Sequence, residues 1–255
     1  MSRGSIVLSK LEFDVLWESE GLPAKHEALT VPSPGRTHTE RRQLVRKAFD
    51  DLEARGLAKR DRAVPELVDQ LNLLAHHQLS IDSWVWTDHR ISSLAVVAGH
   101  TALLAAVDGP EVWLIPARET AIADAAVSIA GDVVAGPGLS VSVPTDVLVA
   151  ADAEARGDVR LLAAELTGRG VAGKDAKTMA DMVRDMNVRG QFGVTRMQRD
   201  QRMLRADRVV AFHDTPNGRY VHLARANNDG RMWSTVTPAD GRRLASCVEE
   251  LMAEV

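Results

Sequence analysis

His76-His77 is the first arrangement in this chain that chemistry could use, because neighbouring imidazoles invite a metal ion. Adjacent residues on a helix diverge by about 100°, however, and cannot chelate one ion well. At a helix end two imidazoles serve more simply as favourable charge against the C-terminal dipole. His213-Asp214 sets a base beside a carboxylate, but no nucleophile is placed with them. The Pro216-Asn217-Gly218 turn that follows gives Asp214 a backbone role instead. Cys247, the one cysteine, sits on an apolar helical stripe and is expected as a small buried hydrophobe. Glycine patterns that cradle phosphate, zinc-spaced Cys and His sets and a Gly-x-Ser-x-Gly elbow are missing from the sequence. The expectation is a protein that is not an enzyme and needs no cofactor or metal.

Two other groups point to binding. Arg41, Arg42, Arg46 and Lys47 crowd one helix, followed by a second helical stretch, and so suggest a winged-helix reader of nucleic acid as the alternative function. Against it, Arg46 and Lys47 precede Asp50 and Asp51 by four residues, a spacing that pairs charge within a helix, and the net charge of −4 is not that of a nucleic-acid binder. Met179, Met182 and Met186 recur at helical spacing after a Gly-rich stretch. Core packing is one reading; an adaptable groove for a protein partner is the other.

The elements that must carry these residues are legible from punctuation. Arg208 to His213, Arg219 to Ala226 and Arg231 to Thr237 are strand-like runs separated by Asn217-Gly218 and Asp229-Gly230, which supply the backbone angles of tight hairpins. A helix follows, with Thr237 as the expected cap, Pro238 at its first position and Leu244, Val248, Leu251 and Val255 on one stripe. The same plan occurs earlier: Asp108-Gly109 answers Asp229-Gly230, Trp113 answers Trp233 and Pro116-Ala117 answers Pro238-Ala239. Ser9 to Glu12 and Thr37 to Glu40 are capping boxes that open two helices. Helices are expected over Thr145 to Arg156, Asp158 to Thr167 and Lys174 to Asn187, and strands over Leu79 to Thr87 and Gln191 to Met197. Gly131 to Pro144 is expected as a linker with a short extended piece, Leu139 to Val143. The longest apolar run, Ser93 to Val107, is cut by Gly99-His100-Thr101 and fits two buried strands better than a membrane span. With no apolar run long enough for a secretory signal at the start, a cytoplasmic protein is expected.

Arg208-Val209-Val210-Ala211-Phe212-His213-Asp214-Thr215-Pro216, then Gly218-Arg219-Tyr220, then Trp233-Ser234-Thr235-Val236-Thr237-Pro238-Ala239-Asp240 resemble the C-terminal block of the EspG family, chaperones of mycobacterial type VII (ESX) secretion. Leu11-Glu12-Phe13-Asp14-Val15-Leu16-Trp17 and Thr39-Glu40-Arg41 are similar to its opening block. The resemblance implies an α+β fold: a central, mostly antiparallel β-sheet flanked by two helical bundles, in pseudo-two-fold related halves. On this chain that means one EspG-like domain of halves 1–130 and 145–255, joined by 131–144. It also implies a function: binding the helical tip of the PPE subunit of PE–PPE heterodimers, keeping them soluble and directing them to the secretion system. Neither nucleic acid nor membrane insertion belongs to that role, and self-association as a homodimer is left open. The candidate partner-binding residues are the outward positions of the strands and the methionine helix: Trp84, Trp86, Met179, Met182, Met186, Arg196, Ser234 and Thr235.

Overall fold

Ser9 and Thr37 begin the first two helices as their spacing requires. Each side-chain oxygen accepts the backbone N–H three residues on at 3.2 Å, and the Glu12 and Glu40 carboxylates return the bond to the cap at 2.6 and 3.1 Å. The computed structural model describes residues 4–255; within them lie eleven strands, forming an antiparallel sheet, and eight α-helices. The architecture is therefore α+β. The chain divides into two compact units: residues up to 84 with 89–129 and 194–205, and residues 85–88 with 130–193 and 206–255.

Unit 1 runs β1 (Ile6–Ser9), α1 (Lys10–Ser19), a 3-10 turn (Glu27–Leu29), α2 (His38–Ala54), α3 (Pro65–Ala75), β2 (Leu79–Trp86), β3 (Arg90–Ala98), β4 (Thr101–Asp108), β5 (Glu111–Ala117) and α4 (Ile122–Val127). Its strand order is β1-β5-β4-β3-β2. Gly99 and Gly109 take positive φ in the turns that fold the apolar run back on itself, so Ser93 to Val107 becomes parts of two paired buried strands. Leu94, Val96, Leu103, Ala105 and Leu114 meet Phe13, Leu16, Phe49, Leu52, Leu67 and Leu71 in one core.

Unit 2 holds β6 (Val141–Pro144), α5 (Thr145–Ala155), α6 (Val159–Gly168), α7 (Gly173–Met182), most of β7 (Val188–Met197), β9 (Val210–Thr215), β10 (Gly218–Ala226), β11 (Met232–Pro238) and α8 (Gly241–Met252). Its order is β7-β9-β10-β11-β6. Val141, Val143 and Val236 pack against Ala151, Leu162, Leu166 and Met179. The end of β7 and the short strand β8 (Met203–Arg205), which no sequence signal marked, cluster with unit 1.

Three expectations need correction. Thr237 does not cap the last helix, because Pro238 stays in β11 opposite Tyr220; the cap is Asp240, whose carboxylate accepts the Arg243 N–H at 2.8 Å. The methionine helix ends at Met182 rather than Asn187, with Asp185 in the left-handed region. Residues 131–140, expected as a linker, are strapped to β10: the Arg219 N–H donates to Val134 O and the Gly136 N–H to Arg219 O. A Cβ on Gly218, whose φ is +128°, would lie 2.7 Å from Val134 O, so this strap needs glycine there.

Candidate partner-binding surface

Alternation along the strands and the end of one helix decide which of the expected residues face outward. Trp84 and Trp86 share one face of β2 and are both partly buried. Met179 and Met182 are 0% and 2% exposed in the unit 2 core, so core packing overrides the groove expected of them. Met186 lies beyond the helix and is 54% exposed. Ser234 and Thr235 are sequence neighbours and project from opposite faces of β11: Ser234 meets the Thr145 hydroxyl at 2.8 Å, Thr235 that of Ser142 at 2.7 Å. They cannot serve one surface. Arg196 alternates with Thr195 on β7 and shares its side of the strand with the buried Phe192 and Val194.

Within unit 2 an open depression of about 370 Å³ is lined by Trp86, Met186, Arg189, Gly190, Gln191, Ala211, Phe212, His213 and His222. Trp86 and Met186 are thus the two expected residues that the structure brings together. Arg189, exposed, stands with its guanidinium 5.7 Å from the centre of the Trp86 ring. The other wall is a histidine pair. His213 Nε2–H donates to Met182 O at 2.8 Å, which leaves its Nδ1 to accept from His222 Nε2 at 2.6 Å, and the His213 ring stacks on Tyr220 at 5.3 Å. His213 must be neutral to accept that bond, and burial keeps His222 neutral as well. Burial, reinforced by the neighbouring His213, depresses the His222 pKa to about 3, and burial lowers that of His213 too.

The floor beneath is rigid for an electrostatic reason. Asp214 does not serve its turn, as expected, but accepts both Nε and Nη2 of the fully buried Arg219 at 2.7 and 2.9 Å. The remaining guanidinium donors reach Gly131 O and Ala130 O, and the cation lies 4.7 Å over the Phe212 ring. Paired and hydrogen-bonded on every side, the charge is tolerated in the core. Sequence reasoning missed Arg189, Gln191, Ala211 and His222; period-two alternation on β7 was the one signal that Arg189 and Gln191 share a face.

Unit 1 carries a cleft of about 860 Å³ between the start of α2 and the loop after α1. Four of its charged side chains pair among themselves. Asp14 holds Lys25 at 3.0 Å and Arg41 at 2.9 Å, and Arg41 also bonds Glu18. Burial opposes ionisation of Asp14, yet the bonds from Lys25, Ser33 and Arg41 outweigh it and hold its carboxyl below the usual value. Arg41 is therefore committed to holding α1 against α2 and is lost to a phosphate backbone, while Lys47 pairs with Asp51 at 2.6 Å. The winged-helix alternative finds no support here. His77 accounts for its own ring through a 3.0 Å bond to Leu74 O at the end of α3.

No helix of the described residues is long and apolar enough to cross a membrane. A family model described as the EspG family matches residues 9–250. A search of curated proteins finds no match. Among solved structures the chain is similar to the Mycobacterium tuberculosis type VII secretion system chaperone EspG5, solved in complex with a PE25–PPE41 dimer. The TM-score is 0.78 at 13% identity, covering 98% of this chain and 96% of that one. At that identity the likeness is one of fold.

Proposed function

The chain belongs to the EspG family, and from that premise we propose that it is a PE/PPE-binding chaperone of type VII secretion. It takes a PE–PPE heterodimer through the PPE subunit, covers that subunit's helical tip, keeps the pair soluble and delivers it to the ESX machine from the cytoplasm. The work is binding and involves no bond-making. The observation that carries this reading is the preformed depression in unit 2, where the partly buried Trp86 and the exposed Met186 come together over a floor locked by Arg219. An elongated client with an apolar tip aggregates unless that tip is covered, and a rigid apolar recess can cover it at little ordering cost.

The shared strand order of the two units supports a second element of the reading: the fold is one domain of duplicated halves, the second of which already begins within residues 131–144, at β6. Co-expression with candidate PE–PPE pairs, followed by size-exclusion chromatography, tests the function. A 1:1:1 complex with at least one pair is expected; failure with every pair removes the chaperone assignment.

A further inference from the structure

Arg189 is an exposed cation whose described contact is the Trp86 ring; among the described residues it forms no ion pair. That sets it apart from its surroundings, where Arg219, Arg225 and Arg231 are matched by Asp214, Glu250 and Asp146. An arginine left without a carboxylate beside an open apolar recess is half of a charge-assisted contact. The ring beneath it limits where the guanidinium can stand, so little conformational freedom remains to be lost when an anion arrives. The recess supplies the apolar component through Trp86, Met186 and Ala211. The histidine pair at the other wall is uncharged, so it neither competes for an anion nor repels a greasy side chain.

Resting on the function proposed above, we infer that this recess takes an apolar side chain of the partner while Arg189 pairs with a carboxylate presented next to it. Specificity follows from sign. A partner with a basic residue at that place brings like charge against Arg189 and is rejected, whereas an acidic one is steered in.

The test uses the full chain and the PE–PPE pair captured by co-expression. Arg189→Glu is expected to weaken binding at least tenfold with an unchanged unfolding midpoint, since the side chain is exposed and holds no structural ion pair. Arg189→Gln should also flatten the salt dependence of the wild-type affinity. Restoration of Arg189→Glu binding by a Glu→Lys or Asp→Lys change on the PPE tip would establish the pairing. Binding by Arg189→Glu within twofold of wild type, with no change in salt dependence, overturns it. A display library of short helical hairpins gives a readout free of the chaperone assignment. Enrichment of an aliphatic residue beside Asp or Glu, lost on Arg189→Glu, is the expected result; enrichment indifferent to that change overturns the inference even where the chaperone reading stands.

Discussion

The two units string their strands in one order, first-fifth-fourth-third-second, yet cover the sheet differently. In unit 1, α1 and α2 are joined by residues 20–37, whose 3-10 turn packs on β3 and β4. Ser92 Oγ donates to Ala28 O at 2.7 Å beneath it, and the fully buried Asp82 is held by Arg205. In unit 2 the corresponding helices α5 and α6 are joined by residues 156–158 alone. No loop of that length joins them over β9 and β10, where Ala211 and His222 line the depression. One topology thus yields a sealed face or a receptive one according to the length of a single connection. Loops of that length tolerate insertion at modest entropic cost, which makes this an economical place for two halves to diverge.

That contrast can be broken in several ways. The largest effect is expected from Arg219→Met, which leaves Asp214 buried without its partner; urea unfolding should show a loss of about 3–5 kcal/mol. Arg205→Met should cost clearly less, because the Arg205 side chain is 46% exposed and water can replace it at Asp82. Equal losses would mean that the two floors are built alike. Leu29→Ala, at a position 0% exposed, should cost about 3 kcal/mol and speed hydrogen exchange in β3 and β4. Exchange unchanged there would show that the loop is not the cover. Acid provides a third probe. His222 is depressed to about 3, so below pH 6.5 the unfolded chain takes up a proton that the folded chain refuses. Stability should then fall by about 1.4 kcal/mol per pH unit per such histidine between pH 6.5 and the folded value. His222→Gln should flatten that slope; an identical slope would exclude the pair as its source. At the small end, Lys47→Ala should leave the unfolding midpoint unchanged, since the Lys47–Asp51 pair is solvent-exposed on α2.

How much of this was legible follows from the range of each interaction. The capping boxes at Ser9 and Thr37, the turns at Gly99 and Gly109 and the break in the Ser93 to Val107 run involve partners a few residues apart, and all are found where spacing placed them. The Lys47–Asp51 pair is local too. The candidate surface was read only in part. Helical spacing joined Met179, Met182 and Met186, but where that helix stops is decided by Met182 burying itself in the core while its carbonyl receives His213. Ser234 and Thr235 were grouped because they adjoin in sequence, which on a strand is the condition for pointing apart.

Sequence alone was sufficient for most helix starts and the hairpin turns, because caps, glycine angles and periodicity act within a turn or two of the chain, and its resemblance carried the α+β class and the family. Only the folded chain decided that Asp214 faces Arg219 across β9 and β10, that the 3-10 turn within residues 20–37 packs on β3 and β4 while Ala211 and His222 line a depression, and that Arg189 has no counter-charge among the described residues. Those outcomes depend on which strands become neighbours and on what is absent above them, and neither is a property of any local stretch.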